Sequence, residues 1–159
     1  MNETQTVSVD TAPLQLSHFL PYRLSVLSNT ISQAIAALYE AEFDLSVWHW
    51  RVMAVLGERP GLTAREVTER TAMDKVAVSR AVSALETKGH LERCEDDRDG
   101  RALRLFLTDQ GKRTYGQVMP RVMAYETELL SSLSERDRRA LERVLGALAA
   151  ATSPEKPLW

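Results

Sequence analysis

Two groups of side chains in this sequence have the types and spacing needed to meet a polyanion. The first lies in the run Asp74–Gly89. Val78, Ala81, Val82 and Leu85 fall at i, i+3, i+4 and i+7, the apolar stripe of an amphipathic helix. Lys75, Val76, Ser79, Arg80 and Ser83 then occupy the opposite face. That face is small and carries no acid beyond its cap, so it can approach bases closely, and Arg80 can reach a guanine edge or a phosphate. Ala77 in the same first turn and Thr63, which opens the preceding helix, complete this set of candidate contacts. The second group is Arg98, Arg101 and Arg104, at or beside the polar loop 96–101. A thin ribbon tipped with guanidinium groups suits the negative potential of a narrow minor groove. Asp99 is placed to orient an arginine. Each group alone has a plainer reading, a solvated helix or a solvated charged turn; together they favour double-stranded DNA as the partner.

The elements that must position these groups can be read from caps and periodicity. A polar, aperiodic arm covers 1–14. A long helix starts near Pro21, and Leu24, Leu27, Ile31, Ala34 and Leu38 step along it by three and four. That seam packs either on the chain's own core or on a second copy. Ser46 caps a helix through Trp50, Val52, Met53 and Leu56 that stops at Gly57. Thr63-Ala-Arg-Glu66 is a capping box for a short helix. Asp74 caps the next helix, which Gly89 ends, and the short turn between the two helices has helix-turn-helix spacing. Leu91–Cys94 and Ala102–Leu107 read as two strands, with Asp99-Gly100 as the hairpin signal. Thr108 caps a long helix that Pro120 bends, and a last helix from Ser134 carries Leu141, Val144, Leu145 and Leu148 on one stripe. The predicted fold is mainly α with a small β-hairpin wing: a winged helix-turn-helix lobe over 46–108, with helices at 15–45 and 109–151 available for dimerisation and a loose tail at 152–159.

Whole-chain composition is a poor guide to this partner. The 159 residues carry 20 Lys and Arg against 22 Asp and Glu, a net charge of −2. Residues 1–62 hold three arginines against six acids, while 63–113 hold eleven bases against ten acids, so the charge is concentrated where the helix pair and the hairpin lie. A 44% hydrophobic content supports a core and excludes wholesale disorder. The lone Cys94 excludes an internal disulfide and a multi-cysteine metal cluster, and suits a reducing compartment. No apolar run is long enough to span a membrane, and the first residues do not read as a signal peptide, so the expected location is cytoplasmic, with no membrane partner. His18, His49 and His90 fall in separate elements without metal spacing, and there is no nucleophile motif or phosphate-binding glycine loop. No catalytic residue, metal or cofactor is expected.

The run from Asp74 to Gly89 resembles the recognition helix of the multiple-antibiotic-resistance regulator (MarR) family. Asp96-Asp-Arg-Asp-Gly-Arg101, leading into Leu105-Phe-Leu-Thr108 and Gly111, is similar to that family's wing signature. Where the family often has proline early in the wing loop, this chain has Asp97. The resemblance spans roughly residues 15–150. It implies a homodimeric bacterial transcription regulator, most simply a repressor, on a pseudo-palindromic operator, with Asp99 and Arg101 as the wing's aspartate and arginine. Two recognition helices related by a two-fold axis meet major-groove faces roughly 34–36 Å apart.

The resemblance also implies a small-molecule effector, often an aromatic anion, bound where the dimer helices meet the DNA-binding lobe. His18, Tyr22, Arg23, Ser28, Trp48, His49, Arg51 and Met53 are the candidates. An arginine with a histidine can hold a carboxylate while an indole stacks on its ring. The segment His18–Asn29 is also similar to regulators of hydroxycinnamate and other aromatic-acid breakdown, which implies an aromatic carboxylate or its coenzyme A thioester. Peroxide-sensing members of the family use a cysteine near the N-terminal dimer region; Cys94 lies on a wing strand instead and reads as a packing residue or a bystander. A winged-helix module that binds protein, or a regulator with no ligand, remains the alternative.

Overall fold

The computed structural model describes residues 13–95 and 102–152. After a single 3-10 turn at Leu16–His18, the chain runs through α1 (Leu20–Ala36), α2 (Glu40–Phe43), α3 (Val47–Glu58), β1 (Leu62–Thr63), α4 (Ala64–Arg70) and α5 (Lys75–Thr87). It continues through β2 (Leu91–Glu95), β3 (Leu103–Leu107), α6 (Asp109–Ser131) and α7 (Glu135–Thr152). This is a mainly helical winged helix-turn-helix with a small antiparallel sheet.

The caps explain most boundaries. Ser46, Thr63, Asp74 and Thr108 each accept a hydrogen bond from a backbone N–H in the first turn of α3, α4, α5 and α6 respectively. Gly89 follows α5 with φ +74°, a left-handed conformation that glycine adopts without a Cβ clash. The first helix departs from the sequence expectation. It ends at Ala36 rather than running on through Leu38, and a one-turn helix, α2, closes on Asp44 at φ +52°. That corner delivers Tyr39 and Leu45 into the core, at 1% and 0% exposure. The sheet also has a third strand that alternation did not reveal. Two-residue β1 pairs antiparallel with β3, Leu62 opposite Leu105 and Thr63 opposite Arg104, giving the order β1-β3-β2. Two residues are too few to show a period.

One core unites α3, α4, α5 and the sheet. Trp50, Val52, Met53 and Leu56 of α3 are buried with Val67 of α4, Val78, Ala81, Val82 and Leu85 of α5, and Leu91, Leu105 and Leu107 of the strands. Leu103 alternates with Arg104 on the same side of β3 as Leu105 and Leu107 but is 45% exposed, because it lies at the wing end beyond the core. Trp50 is sandwiched between Tyr39 and Tyr115, with ring centroids 5.6 Å and 5.7 Å away, so a ladder of aromatics joins the α1–α2 corner, α3 and α6. Arg121 of α6 clamps the same corner by donating to Leu38 O at 3.1 Å and Glu42 Oε2 at 2.5 Å, over the Phe43 ring.

The wing returns to α6 through a tight junction. Thr108 Oγ1 donates to Gly89 O at 2.6 Å and accepts from Gly111 N at 3.0 Å. Gly111 packs so closely on the preceding segment that a Cβ there would stand 2.0 Å from His90 O. A backbone carbonyl cannot swing away as a side-chain tip can. Gly111→Ala is therefore expected to lower the unfolding free energy by about 3 kcal/mol. A shifted urea midpoint at constant m-value would register it, and an unchanged midpoint would contradict the packing described.

Candidate nucleic-acid interface

Because Val78, Ala81, Val82 and Leu85 face the core, α5 turns its other side outward as the spacing requires. Lys75, Val76, Ser79, Arg80 and Ser83 are all exposed. The helix begins where Asp74 Oδ1 accepts from Ala77 N at 2.8 Å. Lys75 and Arg80 form no ion pair with any described residue, so both cations are free for an anion from outside. Two of the predicted contacts belong elsewhere. Ala77 is half-buried and packs against the core cluster, since it sits one position before the buried Val78. The Thr63 hydroxyl donates to Glu66 Oε2 at 2.8 Å and accepts from Glu66 N at 3.3 Å, so it has no proton left for a phosphate and acts as a helix cap. The Thr63 backbone N–H and hydroxyl in turn hold the Glu66 carboxyl below its ordinary pKa.

The wing candidates Arg98, Asp99 and Arg101 lie outside the described residues. The strands that carry that loop are held to the lobe. Arg93 of β2 makes a two-point contact with Glu86 of α5, at 2.8 Å for both bonds. Arg104, expected beside the tip, is half-buried and donates from Nη1 to Gly61 O at 2.8 Å, tying β3 to the turn before β1. Cys94 is exposed on β2, which excludes the packing role.

A second feature lies between α1 and α3, a polar cleft of about 410 Å³. Of the eight predicted effector contacts it gathers Ser28, Trp48 and Arg51. Arg51 donates from Nη2 to Ser32 Oγ at 3.2 Å and stands 5.4 Å from the Trp48 ring centroid, so the guanidinium and the indole are already paired. The other five are placed apart from it. Met53 is fully buried in the core. The His49 ring is turned back into the cap of its own helix, where Nδ1 accepts from Ser46 N at 3.1 Å. Tyr22 and Arg23 line a separate exposed patch of α1 with Leu20, Leu24, Val26 and Leu27. His18 is exposed and contacts Gln15 Oε1 at 3.0 Å. The cleft also draws in Ser25, Asn29, Ser32, Gln33 and Ala36, which sequence reasoning missed. Their signal was present: Ser25, Ser28, Asn29, Ser32, Gln33 and Ala36 follow helical spacing along one face of α1.

The helix pair, the outward basic face of its second helix and the paired strands define a winged helix-turn-helix lobe. A model of the MarR family matches residues 43–102, less than half of the chain. Among curated relatives it is similar to the uncharacterized HTH-type transcriptional regulator YybA of Bacillus subtilis, 26% identical over 71% of this chain and 85% of that one. It is also similar to the HTH-type transcriptional regulator TtmR of Methylorubrum extorquens, 28% identical over 67% of this chain but only 54% of the relative. Solved structures share the fold. A MarR/EmrR family regulator from Acinetobacter sp. superposes with a TM-score of 0.81 at 23% identity, covering 89% of this chain and 99% of that one. FabT of Streptococcus pneumoniae, solved in complex with DNA, gives 0.71 at 22% over 89% and 100%. CouR of Rhodococcus jostii, solved bound to p-coumaroyl-CoA, gives 0.73 at 20% over 86% and 95%. The curated relatives are transcription regulators.

Two histidines of the lobe, His49 and His90, sit where burial disfavours their charged form. His90 is 7% exposed and its Nδ1 has no hydrogen-bond partner among the described residues. Burial, reinforced by Lys88, holds its pKa below the ordinary histidine value. His49 is lowered as well, by burial first and then by Lys88, with His90 adding a little, while Asp44 pulls the other way. Lys88 and Asp44 are themselves an ion pair. A histidine whose folded pKa lies below its unfolded one binds more protons unfolded. Its stabilising contribution is complete above the unfolded value of about 6.5 and is lost as pH falls from there towards the folded value. Denaturation midpoints are therefore expected to drop between pH 7 and 5, with a shallower drop in His90→Leu. An identical slope in that variant would remove His90 from the account.

Proposed function

We propose that the chain is a homodimeric cytoplasmic repressor that binds a pseudo-palindromic operator and leaves it when a small aromatic carboxylate, free or as its coenzyme A thioester, occupies the α1–α3 cleft. The observation that carries the DNA-binding part is the outward face of α5, where Lys75 and Arg80 stand among small side chains with no ion-pair partner among the described residues. Lys75, Val76, Ser79, Arg80 and Ser83 enter the major groove, and Arg98, Asp99 and Arg101 of the wing reach the minor groove. FabT, which shares the fold, has been solved with DNA.

Dimerisation is supported by apolar surface at both ends of the chain. The 18-residue α7 has no buried residue, and its Leu141 and Val144 are 38% and 51% exposed. Leu14, Leu16, Leu20, Leu24 and Leu27 are exposed at the other end. An apolar helical face needs a partner to bury it, and a second copy supplies the same face by symmetry. The effector reading is supported by the cleft itself. Its volume is in the range of ligand sites, Arg51 offers a carboxylate two-point contact, and Trp48 offers a ring to stack on. CouR, of the same fold, has been solved with an aromatic acyl-CoA.

Selection of bound duplexes from a random pool is expected to enrich an inverted repeat with half-sites about one helical turn apart. The protein should sediment at twice its chain mass. Arg80→Ala should weaken the selected duplex by about 10- to 100-fold, whereas Arg101→Ala should weaken all sequences and lower the salt slope by about 1. Failure to enrich any duplex would sink the reading. Separately, Arg51→Ala should bind the operator normally but no longer release it when an aromatic acid or its coenzyme A thioester is added. Release of both proteins at the same concentration would exclude the cleft.

A further inference from the structure

On α5, Val76 is the one large apolar side chain left exposed, at 58%. Its neighbours on the helix surface are Ser79, Arg80 and Ser83, at i+3, i+4 and i+7. Folding gives no account of a valine there. It belongs neither to the core cluster nor to the partly buried residues packed against it, and a β-branched residue loses side-chain freedom in a helix. It also stands in the first turn, the part of a recognition helix that meets base edges. An isopropyl group neither donates nor accepts a hydrogen bond, so it can read only an apolar feature of the groove. The major-groove edge of DNA offers one such group, the C5-methyl of thymine. The stiffness of valine is useful for this contact, because its methyls are held in place before DNA arrives.

The geometry points to Val76 as a specificity-determining residue whose isopropyl group packs on the C5-methyl of one thymine in each half-site, beside the base pair or phosphate that Arg80 meets. This rests on α5 being the major-groove element. Lys75 and Arg80 supply attraction that any sequence satisfies, or a guanine contact, while Val76 adds discrimination for an A·T pair at one fixed position.

The test uses the full-length protein and the duplex enriched by selection, with each thymine of one half-site replaced singly by deoxyuridine. That exchange removes a methyl and leaves every hydrogen-bonding group in place. The wild-type protein is expected to lose about fourfold in affinity at one position, the effect of withdrawing one methyl from an apolar contact, and little elsewhere. Val76→Ala should lose a similar factor on the unmodified duplex and show no further loss at that position. Alanine is a better helix former at an exposed site, so the variant should melt no lower than wild type. No thymine sensitive to the exchange, or the same loss at the same position in both proteins, would overturn the assignment while the unmodified duplex still binds. No binding of the unmodified duplex by wild type would overturn the DNA-binding reading itself, and this inference with it.

Discussion

Val78, Ala81, Val82 and Leu85 of α5 pack against α3, α4 and the sheet, and this burial governs what the rest of the molecule can present. Each large side chain removed from water there is worth about 1.5–3 kcal/mol, far more than any single exposed contact on the opposite face. The rotation of α5 is therefore set by its apolar stripe. Lys75, Val76, Ser79, Arg80 and Ser83 face outward as a consequence, free to be chosen for recognition because they have little part in holding the helix down. The caps serve the same end: Asp74 fixes where the helix begins, and so which residues occupy its leading turn.

Helix α3 is shared between two sites. Trp50, Val52, Met53 and Leu56 seat α5, while Trp48 and Arg51 look into the cleft beside α1. A ligand that changes the distance between α1 and α3 thus acts on the element against which the recognition helix is packed. The aromatic ladder Tyr39–Trp50–Tyr115 and the Arg121 clamp extend that connection to α6. Burial in this ladder pushes the Tyr39 phenol up to about 12, and its hydroxyl has no hydrogen-bond partner among the described residues. The α1–α2 corner is accordingly built for packing, with the polar chemistry left to the cleft on its other side.

The two ends of the chain have the opposite character. Helix α7 buries nothing, and α1 buries only Ala36. Apart from Ile35 and Ala36, their apolar residues lie outside the lobe's core cluster.

The fold was legible in the sequence wherever the signal was local. Four capping residues, the period of α5 and the glycine that ends it are short-range features, and each set its boundary in the structure. The outward face of α5 followed from the same period, apart from Ala77, which lies next to the buried stripe and is drawn into it. What depended on distant partners was not legible. The break after Ala36, the two-residue strand β1 and the closeness of Gly111 to His90 exist only because other segments are there to receive them. The candidate cleft shows the division within a single site. Residue type alone marked Arg51 and Trp48 as able to hold an aromatic acid, but it also marked His49 and Met53, which sit on the same helix. Only packing separates them, because half a helix turn carries a side chain from the cleft at Arg51 to the core at Met53, and a local cap takes up the histidine ring.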